Sequence, residues 1–124
     1  MGTERVAVLG ASPKPDRTSN QAVRRLRQHG HHVIPVHPAH DEIEGLAAAR
    51  DLAAIDGAVD TLTVYVGPRH GEELIEQIIA LAPGRVILNP GTESDLVERR
   101  LQERGIPVIR ACTLVLLASG QFAA

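Results

Sequence analysis

VAVLGASPKPDRTSNQAVRRLRQ, residues 6–28, decides how this chain of 124 residues is read. The apolar run at 6–9 predicts a strand, which breaks into Gly10, Ala11 and Ser12 before a polar, proline-containing stretch. Ser19 or Asn20 supplies an N-cap for the helical run that follows. Strand, loop and helix in that order offer backbone N–H groups and the positive end of a helix dipole to an anion, and Lys14 and Arg17 add two cations. Gly10, Ala11 and Ser12 do not spell the G-x-G-x-x-G of the usual dinucleotide fingerprint.

The same alternation continues downstream. A helix ending near His29 and Gly30 leads into HHVIPVHP, a second strand centred on Val33, Ile34 and Val36, with Pro35 where its missing N–H does no harm. Residues 39–55 read as a loop with a short helix. TLTVYV at 61–66 is a third strand, closed by Gly67 and Pro68. Leu74, Ile75, Ile78, Ile79 and Leu81 fall at helical spacing within EELIEQIIALA. RVILNPGTE repeats the opening theme with a strand at 86–88 and a loop at 89–92, and DLVERRLQERG forms a helix. PVIRACTLVLL brings a fifth strand and a C-terminal segment whose state the pattern leaves open. These elements predict an α/β fold in one domain over residues 1–124: a doubly wound, mainly parallel five-stranded sheet with helices on both faces.

Composition agrees and narrows the function. Aromatic residues make up 2% of the chain, so the core must be built from Val, Ile, Leu and Ala, which suits parallel strands buried on both faces. A net charge of -2 gives no general pull towards nucleic acid, and the single Phe and Tyr supply few stacking platforms for bases. Anion binding must therefore be local. One cysteine, Cys112, excludes an internal disulfide framework and fits a reducing compartment. With no secretory h-region at the N-terminus and no apolar run of membrane-spanning length, the expectation is a cytoplasmic protein without membrane or nucleic-acid partners.

In a sheet of this kind ligands bind where strand order reverses, at the carboxyl ends of the strands, which singles out the loops at 10–20, 36–40, 66–70 and 89–92. In the second of these loops His37 and Pro38 stand where a nicotinamide-dinucleotide enzyme usually carries an acid for the ribose hydroxyls, and Asp41 comes several residues late. Pro38 offers a flat surface to a base, and His37 and His40 read either as phosphate contacts or as solvated loop histidines. His31 and His32 point to opposite faces of a strand, and the chain has neither a cysteine cluster nor H-E-x-x-H, so no metal site is expected. His70, Glu72 and Glu73 read as dipole complementation at a helix start, Arg24, Arg25 and Arg27 as a solvated face, and Cys112 as a small core thiol. No catalytic set of acid, base and nucleophile emerges.

VAVLGASPKPDRTSNQAVRRLRQHGHHVIPVHP, residues 6–38, resembles the opening of the small stand-alone CoA-binding proteins. These are Rossmann-like domains similar to the CoA-binding domain of the succinyl-CoA synthetase α subunit. The resemblance spans nearly the whole chain and rests on GAS, then KP, an Arg and SN, and on PVHP in place of the family's more usual PVNP. It implies that Gly10, Ala11, Ser12, Lys14, Arg17, Ser19 and Asn20 hold the phosphates of coenzyme A or an acyl-CoA. Val36, His37 and Pro38 would flank the adenosine, while Val66, Pro68 and the Asn89, Pro90, Gly91 turn border the ligand's other side. The ending ACTLVLLASGQF departs from the CLKIEH-like ending of many members, and the synthetase's phosphorylated histidine lies in a second domain without counterpart here. What carries over is binding without catalysis, with a protein partner or a homo-oligomer as possible company. The competing reading is an NAD(P)-dependent oxidoreductase or nicotinamide redox sensor on the same fold.

Overall fold

The computed structural model describes residues 2–123. Strand β1 (Arg5–Leu9) runs into helix α1 (Thr18–Gln28) and strand β2 (His32–Val36). A hairpin of two short strands, β3 (Glu42–Ile43) and β4 (Leu46–Ala47), and a 3-10 turn at Leu52–Ala54 precede strand β5 (Thr61–Val64). Helices α2 (Pro68–Glu73) and α3 (Ile75–Leu81), strand β6 (Arg85–Leu88), helix α4 (Asp95–Glu103), strand β7 (Val108–Arg110) and helix α5 (Thr113–Ala118) complete the order. The main sheet has five strands in the order β2-β1-β5-β6-β7, and every neighbouring pair is parallel. This is the expected Rossmann-like α/β arrangement.

Alternation along the strands divides the core into two. Val6 and Val8 of β1 face Val23 and Leu26 of α1 and Leu117 of α5, while Ala7 and Leu9 face Ile78 of α3 and Val97 and Leu101 of α4. Helices therefore cover both faces, and apart from Thr61 and Thr63 of β5 the polar side chains of the strands lie at strand ends. The chain goes outward from β1 to β2, then returns past β1 to β5, so the reversal of strand order lies between the carboxyl ends of β1 and β5.

Several boundaries differ from the sequence reading, each for a local reason. Helix α1 starts at Thr18 with Arg17 in the cap position and no side chain capping it. Ser19 and Asn20 are buried inside its first turn instead. Residues 42–47 form a hairpin because Glu44 and Gly45 both take positive φ, the geometry of a two-residue turn, which lets Ile43 pack on the α1 side of the sheet. The helix expected around 72–82 begins earlier, with Pro68 in its first turn, and breaks at Leu74, whose N–H closes back onto Gly71. The third strand ends at Val64, although Tyr65 N–H still donates to Leu9 O at 2.8 Å. Arg25 and Arg27 are exposed as expected, Arg27 donating to Glu44 O at the surface, whereas Arg24 is half-buried and donates to Asn20 Oδ1 and Pro15 O. Pro35 does sit harmlessly. Its carbonyl accepts from Ala49 on the outer side of β2, so its nitrogen also faces away from β1.

A buried polar network fixes the carboxyl ends of β5 and β6. Asn89 donates to Thr63 Oγ1 at 2.7 Å and to Val64 O at 2.9 Å, and its Oδ1 accepts from Thr113 N–H at 2.9 Å. The hydroxyls of Thr63 and Thr113 pair at 2.8 Å. Tyr65 lies against this network with its own hydroxyl buried and unpartnered. Burial pushes its phenol up to about 12, outweighing the opposite pull of the Thr113 and Thr63 hydroxyls.

Asn89→Ala should lower stability by about 2–4 kcal/mol in urea unfolding, because it strands the buried partners of three bonds at once. Tyr65 is the single tyrosine of the chain, so its phenolate absorbance reads one group. The folded protein should titrate at about 12 and the unfolded chain near 10.0, with stability falling as pH rises across that interval.

Candidate functional site

Gly10 closes the end of β1 at the point where strand order reverses. Its φ is +86°, and a Cβ there would stand 2.9 Å from Val66 Cγ1 and 3.2 Å from the Tyr65 carbonyl carbon. Only glycine combines that φ with so close an approach of the two strand ends. The N–H groups of Gly10 and Ala11 both donate to Val36 O, at 3.1 and 3.2 Å. These two donors therefore hold β1 to β2 and do not face an anion, contrary to the expectation that the loop offers its N–H groups from Gly10 onward.

Donor capacity moves further along the loop. Ser12 Oγ accepts from Lys14 N–H, and Arg17 N–H donates to Lys14 O, giving the exposed stretch a fixed curl. Asn20 supports it from below: its amide donates to Ser12 O and Glu44 Oε2 and accepts from Arg24 Nε. With all three positions engaged, Asn20 shapes the loop rather than facing a ligand. Ser19 is likewise buried. Lys14 and Arg17 are exposed, and among the described residues neither side chain makes a hydrogen bond or ion pair. The first turn of α1 has no side-chain cap and no acidic residue, so the positive end of its dipole is uncompensated beside these two cations.

Next to the loop, a cleft of about 400 Å³ opens between the carboxyl ends of β1, β2 and β5. Of the residues expected to touch ligand, Gly10, Val36, His37, Pro38 and Val66 line it. His37 Nδ1 accepts from Ala39 N–H at 3.0 Å, and its ring lies 4.6 Å from that of His40. Desolvation, then the charge of His40, lowers the His37 pKa from its usual 6.5, so the ring favours its neutral form. Pro68 is exposed in the first turn of α2 and does not line the cleft. Nor do Asn89, Pro90 and Gly91. Asn89 is enclosed by the buried network, and Gly91 N–H donates to Glu93 Oε1.

The sequence reading did not anticipate the rest of the wall. Arg50, Asp51 and Leu52 reach the cleft because Ala49 pairs with the outer edge of β2, through Ala49 N–H to Pro35 O and His37 N–H to Ala49 O. Asp51 caps the 3-10 turn by accepting from Ala54 N–H at 2.9 Å, a short-range cap signal visible in the sequence as Asp before Leu-Ala-Ala. His70, Leu74 and Gln77 come from the α2 and α3 side. The lining contains no Ser, Thr, Cys or Lys. Cys112 sits elsewhere, at the start of α5, half-buried. Among the described residues, no three His, Cys, Asp or Glu side chains gather in a way that could hold a metal, and no helix is long and apolar enough to cross a membrane.

The chain is similar to several known proteins. The uncharacterized protein YneT of Bacillus subtilis (strain 168) is 32% identical over 110 residues, spanning 86% of this chain and 79% of that protein. A solved structure from Thermus thermophilus, cell-free ID.343, superposes with a TM-score of 0.89 at 33% identity, covering 97% of this chain and 91% of that one. The dinucleotide-forming acetyl-coenzyme A synthetase 1 of Ca. Korarchaeum cryptofilum, at 23% identity and a TM-score of 0.75, shares the fold over 86% of this chain and 25% of its own. Residues 4–118 match the CoA binding domain family, and with nearly the whole sheet and every loop at its ligand edge inside that match, the chain belongs to this family.

Proposed function

We propose that the chain binds coenzyme A or an acyl-CoA as a non-catalytic module, in one domain over residues 1–124, in the cytoplasm. The observation that carries this reading is the juxtaposition of two differently built surfaces. An exposed, uncapped helix start with unpaired Lys14 and Arg17 adjoins a mostly apolar cleft at the reversal of strand order. A diphosphate suits the first, through charge-assisted bonds, and a flat base the second, against Val36, Pro38 and Leu52. Membership of a CoA binding domain family supports the identity of the ligand. Any catalysis would come from a protein partner that uses the bound thioester.

The phosphate contacts in this reading differ from a simple glycine loop. With Gly10 and Ala11 N–H groups engaged by Val36, the loop acts through Ser12, Lys14, Arg17 and the first turn of α1. Gly10 and Ala11 contribute shape and close approach.

Thermal unfolding in parallel with CoA, dephospho-CoA, NADH and NADPH tests the ligand class. At about a hundred times its dissociation constant a ligand adds roughly 2.7 kcal/mol, and CoA should give that rise while the nicotinamide cofactors leave the midpoint unchanged. A rise with NADH or NADPH alone would sink the reading. Replacing both cations, Lys14→Ala with Arg17→Ala, should weaken CoA binding by about tenfold to a hundredfold in calorimetric titration, with an unaltered unfolding midpoint in the absence of ligand. Unchanged affinity would remove the loop from the site.

A further inference from the structure

The cleft wall contains one arginine and one carboxylate, Arg50 and Asp51, and their roles are unequal. Asp51 is committed through Oδ1 to the N–H of Ala54. Arg50 is exposed, and among the described residues its guanidinium makes no hydrogen bond and no ion pair, including none to Asp51 beside it. Arg24, Arg27, Arg85 and Arg110 are tied to Pro15 O, Glu44 O, Thr61, and Asp95 with Glu98, and of the arginines left without such bonds Arg50 is the one that lines the cleft. The backbone at residue 50 is nevertheless well anchored. Ala49 before it is bridged to both Pro35 and His37, and Asp51 after it caps a turn. A free fork of donors thus stands on a fixed stem at the edge of an apolar pocket.

His37 does not supply positive charge here, since its Nδ1 takes the Ala39 N–H and both burial and the neighbouring His40 disfavour protonation. Lys14 and Arg17 lie outside the cleft lining. The site therefore has two separate cationic stations, one on the first loop and one inside the cleft. That layout fits a ligand with two separate anionic groups.

We propose that Arg50 recognises a phosphate on the adenosine ribose, so that the cleft selects 3′-phosphorylated adenosine ligands over their unphosphorylated counterparts. The proposal rests on the CoA reading and adds to it: the loop takes the diphosphate, and Arg50 takes the third phosphate. Bidentate guanidinium geometry matches a phosphate monoester, and no charge in the wall has to be displaced to reach it. Asp51 also lines the cleft, and its Oδ2 stays free of the Ala54 N–H and so can accept from a ribose hydroxyl.

Calorimetric titration of the wild-type protein, Arg50→Gln and Arg50→Lys with CoA and with dephospho-CoA tests this. Wild type should prefer CoA by about tenfold or more. Arg50→Gln should erase that preference by losing affinity for CoA alone, and Arg50→Lys should restore part of it, as a point charge without the fork. Because Arg50 is exposed and unpaired, unliganded melting should be the same for all three proteins. Equal wild-type affinity for the two ligands, or an equal loss of both in Arg50→Gln, would overturn the assignment while leaving CoA binding intact. If wild type binds neither ligand, the CoA reading and the role of Arg50 fall together.

Discussion

The carbonyl oxygen of Val36 accepts from the N–H groups of both Gly10 and Ala11, and the geometry of the ligand edge depends on that pair of bonds. They pull the chain leaving β1 towards β2, which turns the following residues out over the sheet and places the start of α1 beside the cleft. The turn requires Gly10 at φ +86°, with Val66 and the Tyr65 carbonyl pressed against the place where a side chain would begin. A larger residue would have to push β5 away, opening the reversal point at which the two halves of the sheet meet.

From this constraint follows a division of labour within the first loop. Residues whose type suggests phosphate ligands are partly scaffold: Asn20 bonds Ser12, Glu44 and Arg24, and Arg24 reaches on to Pro15. The loop is held from beneath by α1 and by the hairpin, with its cations left outside the network. Such a site is built before its ligand arrives, so little ordering cost accompanies binding.

Much of the fold was legible because burial on both faces writes itself as continuous apolar runs at 6–9 and 86–88, with TLTV, rich in β-branched residues, at 61–64, and because Gly30 and Gly91 punctuate the intervening elements at positive φ. The first loop was legible for the same reason: its strand, its small residues and its helix are contiguous. The cleft was less so. Arg50 and Asp51 reach it through one bridge between Ala49 and β2, a pairing without periodicity or turn signal to announce it. The hairpin at 42–47 was hidden by its brevity, and the break at Leu74 by an apolar spacing that reads equally well as one helix. The chemistry of Asn89 is a case of correct location and different role. Its residue type and place suggested ligand contact, but three buried partners claim its amide.

The outward-facing nitrogen of Pro35 has a bearing on colloidal behaviour. β2 is one margin of the sheet, and a bare margin invites strands from other molecules to add to it. Here an incoming strand meets a proline that cannot donate, next to a carbonyl and an amide already taken by Ala49. The opposite margin, β7, is three residues long. Between a blocked edge and a short one, this wholly parallel sheet has little with which to template intermolecular pairing.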